Sequence, residues 1–280
     1  MVVVGERGAE EQTVPDVRLI ACDLDGTLLR SDGTISERTS AALAAARAAG
    51  IVTAVATGRP WLLAEPVGRL AGVDLVVCLN GTQTVALPEA EVLVDHVLPE
   101  ELAAEAFASI RAVLPTIGLG VEFGDDTMIY EHWFLDAVPI PPPDRALLVD
   151  RLDGVAIDRP VRKFVVGGDG RSVDEVLAVL DGLLPDGVGG AHAGLPFTEV
   201  GVADVTKATA LEQAIARLGG DASHVVVFGD GRNDHEMLAW AGFSVAMSHA
   251  DAETRALADE VTLSNDEDGV AIVVERLLGL

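Results

Sequence analysis

Ile20-Ala21-Cys22-Asp23-Leu24-Asp25-Gly26-Thr27-Leu28 is the stretch whose reading decides the fold. An apolar run ends there on two carboxylates, and a glycine-bearing turn follows. Side chains alternate faces along a strand, so Asp23 and Asp25 share a side if the strand runs straight. At the C-terminal end of a strand in an α/β sheet, that side opens into the crevice where ligands bind. Two close carboxylates repel, so the pair requires a cation, a shared proton or both. The requirement points to a divalent metal, with one acid as nucleophile and the other as proton donor. The alternative is an Asp-X-Asp turn on the surface, and three further segments argue against it.

Outward from this stretch, strand and helix alternate. Residues 17–22 read as a strand, Ser36 caps a helix that stops at Gly50, and residues 51–56 form the next strand. Thr57-Gly58-Arg59-Pro60 follows, with Pro60 near the first turn of a second helix, and a third strand ends at Asn80-Gly81. The rhythm resumes with a helix from Lys207, a strand at 225–228, a helix after Asn233, a strand at 243–246 and a final helix at 269–278. Strands separated by helices at this spacing predict an α/β fold with a doubly wound, Rossmann-like parallel sheet.

The texture changes over residues 83–190. A hairpin is expected at 84–97, an amphipathic helix at 100–113, short strands near 128–130 and 162–166, and a helix at 173–184. Pro139–Pro143 reads as an exposed loop. The pattern predicts an inserted α+β cap domain at 83–190, a core of 17–82 plus 191–280, and a disordered acidic tail at 1–16.

Forty-five acids against nineteen bases give a formal net charge of −26 over 280 residues. That balance argues against nucleic acid or an anionic membrane as partner. No apolar run approaches the ~20 residues needed to span a bilayer. Met1-Val2-Val3-Val4 is too short for a signal-peptide core. Cys22 and Cys78 sit in apolar runs as buried free thiols, which suits a reduced, cytoplasmic protein. Only two lysines occur, Lys163 and Lys207, against seventeen arginines. A lysine retained in such a chain is a candidate for a place where the broad, planar guanidinium cannot fit.

Four segments resemble the motifs of the haloacid dehalogenase superfamily, and in particular its Cof-type sugar-phosphate phosphatases. They are Asp23-Leu24-Asp25-Gly26-Thr27, Ala56-Thr57-Gly58-Arg59, Lys207 within Val205–Leu211, and Gly229-Asp230-Gly231-Arg232-Asn233-Asp234. The segments 245–247, 258–262 and 264–270 resemble the closing pattern of that subfamily. Two departures stand out: Ala208 replaces the usual glycine after the lysine, and Ser248-His249 replaces the usual Gly-Asn. The first two motifs lie 34 positions apart, whereas 150 positions separate Thr57 from Lys207. Only the second gap holds a cap, and a cap there favours small substrates.

The resemblance implies a Mg2+-dependent phosphatase acting on a small phosphorylated metabolite. Asp23 would attack phosphorus to form an aspartyl-phosphate. Asp25 would protonate the leaving group and then take a proton from water. The same resemblance assigns metal contact to the Asp23 carboxylate, the Asp25 backbone carbonyl and Asp230. Lys207 would offset phosphoryl charge, and Asp234 would orient Lys207 or a metal-bound water. Thr57 and the Gly58 amide, at a helix N-terminus, would hold the phosphate, with Asn233 helping. Arg59 reaches either the substrate or a surface carboxylate. Asn80 lies at the site's edge, or Asn80-Gly81 is a tight turn. Lys163 is read as a solvated lysine or a cap-side contact. The six histidines show no ligand spacing and are read as structural or surface residues. Alternatives on the same fold are a phosphomannomutase-like mutase, which needs a second, arginine-rich phosphate site, and a non-catalytic regulatory protein, which would have lost a motif residue. Substrate choice is expected in cap loops near 139–144 and 189–196, and the oligomeric state is open.

Overall fold

The computed structural model of the protein describes residues 16–137 and 146–280. Fifteen residues of the expected tail (1–15) and the proline loop at 139–143 lie outside the described residues. Among the described residues no helix is long and apolar enough to cross a membrane.

The core opens with β1 (Leu19–Cys22), α1 (Glu37–Ala48), β2 (Val52–Ala56), α2 (Trp61–Ala71) and β3 (Leu75–Cys78). Ser36 caps α1 by accepting the Thr39 amide at 3.0 Å. A hairpin follows, β4 (Gln83–Ala86) and β5 (Glu91–Asp95). The inserted segment contains α3 (Glu100–Val113), β6 (Gly118–Phe123), β7 (Met128–Glu131), α4 (Phe134–Ala137), β8 (Leu147–Val149), β9 (Val161–Gly167), α5 (Val173–Leu180), β10 (Val188–His192) and β11 (Phe197–Val202). The chain then returns through α6 (Lys207–Arg217), β12 (Val225–Gly229), α7 (His235–Trp240), β13 (Phe243–Ala246), α8 (Ala252–Leu257), β14 (Glu260–Val261) and α9 (Gly269–Leu278).

Among the described residues, the core strands form an eight-stranded sheet in the order β14-β13-β12-β1-β2-β3-β4-β5. Pairing is parallel from β14 to β3 and antiparallel across β4 and β5. Both faces are covered, as the residues of β1 demonstrate. Ile20 and Cys22 pack with Leu43 and Val274 on one side, whereas Leu19 and Ala21 pack with Leu211, Ile215 and Met237 on the other. From β1 the chain winds outward to β2 and β3, and later returns on the opposite side as β12 and β13. The ends of β1, β2 and β12 therefore meet at a topological switch point, where a crevice is left open.

A second sheet, in the order β10-β11-β9-β6-β7-β8, belongs to the cap. Leu119, Val121 and Phe123 pack beneath it against Ile110, Val176 and Leu180, residues of α3 and α5. The cap sheet runs later in the chain than the predicted 83–190. The first hairpin joins the core sheet, because the turn at Leu79–Gly81 brings β4 straight back along β3. At the other end, β10 and β11 form a hairpin that pairs with β9, so residues 191–202 lie with the cap sheet and not with the core.

Candidate active site

Asp23, Thr57 and Asp230 each follow a core strand directly at that crevice. Asp23 follows β1 directly and is 6% exposed. The chain then turns at Gly26, whose φ is +88°, and a Cβ there would fall 2.4 Å from Asp230 Oδ2. The close approach of motif one to motif four thus requires glycine. The turn breaks the straight strand expected from the sequence. Asp25 is accordingly half exposed, although it still lines the same cavity as Asp23.

Lys207 begins α6 with its side chain fully buried. Its Nζ donates to Asp23 Oδ1 at 2.5 Å and to Asp234 Oδ1 at 2.7 Å. Burial works against the charge on Lys207, but the two aspartates outweigh it and hold the ammonium above its ordinary range. Burial also pushes the Asp23 carboxyl well above the usual carboxylate range, with Asp234 and Asp230 adding to it against the pull of Lys207. Asp230 is raised for the same reason, burial first and Asp234 second. Three acids around one ammonium leave uncompensated negative charge in a buried place.

That imbalance is the test of fit for a metal ion. Ligand oxygens of Asp23, Asp230 and Asp234 lie within 4.8 Å of one another. Asp234 is already engaged, because its Oδ2 accepts the amides of Asp230 at 3.0 Å and Gly231 at 2.9 Å while Oδ1 accepts Lys207. It therefore shapes the loop and aims the lysine. Asp23 and Asp230 are left facing the gap, and an all-oxygen donor set suits a hard cation such as magnesium. Thr27, not singled out from the sequence, orients Asp230 by donating to its Oδ1 at 2.8 Å. His249, read as structural or surface, stands 3.6 Å from Asp230 Oδ2.

The facing wall of the crevice is built from β2 and its neighbours. Thr57 is 1% exposed, and its Oγ1 accepts the Arg59 amide at 3.1 Å, which leaves the hydroxyl proton to donate elsewhere. Thr57, Gly58 and Asn233 line one cavity with Asp23, Asp25 and Asp230. Arg59 makes a two-point pair with Asp25, at 2.8 Å and 2.5 Å. Asn80, held at φ +52°, accepts Asn233 Nδ2 at 2.9 Å and donates to Glu199 Oε2 at 3.0 Å. Asn80 therefore joins the core loop to a cap strand. Its neighbour Gly81 has φ +112°, and a Cβ there would lie 2.2 Å from the Thr206 carbonyl oxygen. The Asn-Gly turn packs against the start of α6 and fixes where Lys207 begins.

Residues 20–274 match the haloacid dehalogenase-like hydrolase family. The chain belongs to that family. It is 30% identical over 270 residues to the Escherichia coli 5-amino-6-(5-phospho-D-ribitylamino)uracil phosphatase YbjI, covering 94% of this chain and 96% of that protein. It is 26% identical to an Arabidopsis thaliana protein named as the chloroplastic endoribonuclease YBEY, where it covers 94% of itself but spans only 47% of the relative. The solved structure of BT4131, named a subclass IIB sugar phosphatase of the superfamily, superposes with a TM-score of 0.72 at 25% identity, covering 94% of this chain and 99% of that one. The protein is a phosphatase of the haloacid dehalogenase type with an inserted cap.

Sequence reasoning placed the cap's contribution in its loops, and Ala193, Gly194 and Leu195 of the 189–196 segment do line the cavity, but the share of the cap strands was missed. Lys163 is buried and paired with Glu199, not solvated. Glu122, Tyr130, Phe134 and Phe197 line the same cavity. The one available signal was the scarcity of lysine, which marked Lys163 as unusual.

Proposed function

We propose that the protein is a magnesium-dependent phosphatase of small phosphorylated metabolites, phosphosugars among them, that works through an aspartyl-phosphate on Asp23. The observation that carries this reading is the buried Asp23–Lys207–Asp234 cluster, whose Asp23 lines a cavity of about 290 Å³ between core and cap. In this reading the segment bearing the second sheet acts as a cap domain that limits substrate size. Asp23, Asp230 and the Asp25 backbone carbonyl would hold the magnesium ion, which when bound supplies positive charge to the transferring phosphoryl group.

The residues divide the work. Asp23 attacks phosphorus, a P–O bond forms to its carboxylate, and the bond to the leaving oxygen breaks. Asp25 gives that oxygen a proton, for which it must release part of its pairing with Arg59. Water then attacks the aspartyl-phosphate, Asp25 accepts its proton, and inorganic phosphate and free Asp23 result. Lys207 holds Asp23 for attack and offsets charge on the phosphoryl oxygens, while Thr57, the Gly58 amide and Asn233 orient them. A mutase would need a second phosphate site, yet among the described residues the cap brings no arginine to the cavity. Two buried free thiols and an acidic chain suit a cytoplasmic setting.

A panel of phosphate monoesters, with phosphate release as readout, tests the reading. Turnover should require magnesium, vanish in excess chelator, return on magnesium addition and be lost in Asp23→Asn. Full turnover in chelator, or in Asp23→Asn, overturns it.

A further inference from the structure

The cap face of the cavity is chemically specific. Along β6, Gly118, Gly120 and Glu122 share the face turned away from the cap's own core, since strand residues alternate. The two glycines leave room for rings. A Cβ on Gly120 would fall 2.3 Å from the Tyr130 ring, and one on Gly118 would fall 2.0 Å from Trp133. Tyr130 stacks on Phe134 with centroids 4.0 Å apart and planes 8° from parallel, and Phe197 tilts against Phe134 at 5.8 Å. Aromatic residues make up only 4% of the chain, and its single tyrosine is here. Leu63, Val165 and Leu195 complete apolar walls.

Into this apolar chamber the sequence sets an acid. Glu122 is 7% exposed, its Oε1 accepts the Tyr130 hydroxyl at 2.5 Å, and its Oε2 is buried with no partner among the described residues. The other cap acid of the cavity is different, because Glu199 Oε2 is occupied by Lys163 and by Asn80. A buried acceptor left open is costly, and a ligand that donates to it gains correspondingly. Burial pushes the Glu122 carboxyl up to about 7, with Tyr130 pulling against it and Glu199 adding to it, so Oε2 is an open acceptor in the ionised form that prevails above that pH.

We propose that Glu122 is a specificity-determining residue, and that the preferred substrate is a phosphate monoester whose leaving group carries a planar ring with an N–H or O–H donor. The inference rests on the phosphatase reading and names its substrate class. The ring lies against the Tyr130, Phe134 and Phe197 surface, and the donor reaches Glu122 Oε2. A simple sugar fits less well, because most of its hydroxyls would face apolar walls without partners. Tyr130 is a positioning residue that fixes the Glu122 carboxyl.

Three esters separate the possibilities: pyridoxine 5′-phosphate (ring and donor), benzyl phosphate (ring alone) and glucose 6-phosphate (hydroxyls without a planar ring). The wild-type protein should show its highest kcat/KM on the first. Glu122→Leu should lower that value by about ten- to a hundredfold, mainly through KM, and leave benzyl phosphate within about twofold. Glu122→Gln, which keeps one acceptor and the side chain's shape, should lose less. Tyr130→Phe should show a smaller loss confined to the same ester. An equal loss on all three esters in both Glu122 variants, or a wild-type preference for glucose 6-phosphate, overturns the proposal while leaving the phosphatase reading intact. Absence of turnover on every ester with magnesium present overturns both.

Discussion

Replacement of Lys207 by arginine keeps the charge and tests the geometry. Nζ sits 2.5 Å from Asp23 and 2.7 Å from Asp234, with the side chain fully buried. The start of α6 cannot retreat to make room for a longer side chain. Thr206 caps the helix, its Oγ1 accepting the Thr209 amide at 3.2 Å, and the Gly81 turn presses on the Thr206 carbonyl. A guanidinium is also planar and presents its donors as a fork, so it cannot meet two carboxylates and a phosphoryl oxygen as a compact ammonium does. Forcing it into a packed interior costs about 1–3 kcal/mol of stability. Loss of a preorganised charge contact costs about 2.7–4 kcal/mol of barrier, or roughly 10²–10³ in kcat. Steady-state kinetics on one good ester, beside a thermal melt, separates the two effects. A Lys207→Arg protein that melts normally and turns over within a few-fold of wild type would refute the reasoning, because the ammonium would then not be at the reacting phosphoryl group.

Other expectations follow from single residues. Glu122 is raised from its ordinary 4.5 to about 7. Between those values the unfolded chain ionises while the folded protein keeps its proton, so stability falls as pH rises, by a total of about 3 kcal/mol. Glu122→Gln should therefore gain stability relative to wild type at pH 8 but not at pH 4; urea midpoints that differ equally at both pH values would contradict this. Gly81→Ala should lower both the melting temperature and kcat, since it adds a clash to a left-handed strain of about 1–3 kcal/mol. Gly219→Ala, also at positive φ (+70°) but with open space around it, should lower stability only. Asp25→Asn should slow hydrolysis of an alkyl phosphate by about 10²–10⁴-fold and that of 4-nitrophenyl phosphate by less, because nitrophenolate leaves without a proton. Equal slowing of both would argue against Asp25 as the acid.

Much of this was readable from the chain, and the unread parts share a physical cause. Helices at Glu100–Val113 and Gly269–Leu278 and the strand at Phe243–Ala246 follow from local periodicity and lie where the sequence predicts them. Asp23 and Asp230 were legible because each sits directly beyond an apolar strand. Strand β6 was not, since Gly118 and Gly120 are poor strand formers and the face they vacate is filled by Trp133 and Tyr130 from elsewhere in the chain. The character of Lys163 was hidden because its partner, Glu199, lies 36 residues away. Substrate contacts were expected in loops, and Ala193, Gly194 and Leu195 do line the cavity, but Glu122, Tyr130, Phe197 and Glu199 reach it from strands. The hairpin β4–β5 was legible as a hairpin, but nothing local marks which sheet it extends.

The central claim is that Asp23 carries the phosphoryl group. The direct measurement is mass spectrometry of the protein quenched in acid during turnover of a phosphate monoester with magnesium. The account predicts a phosphoryl addition on the peptide containing Asp23, present in wild type and absent in Asp23→Asn. A wild-type protein in which the phosphoryl group is trapped on another residue would contradict it, as would an Asp23→Asn protein that still turns over the ester at the wild-type rate.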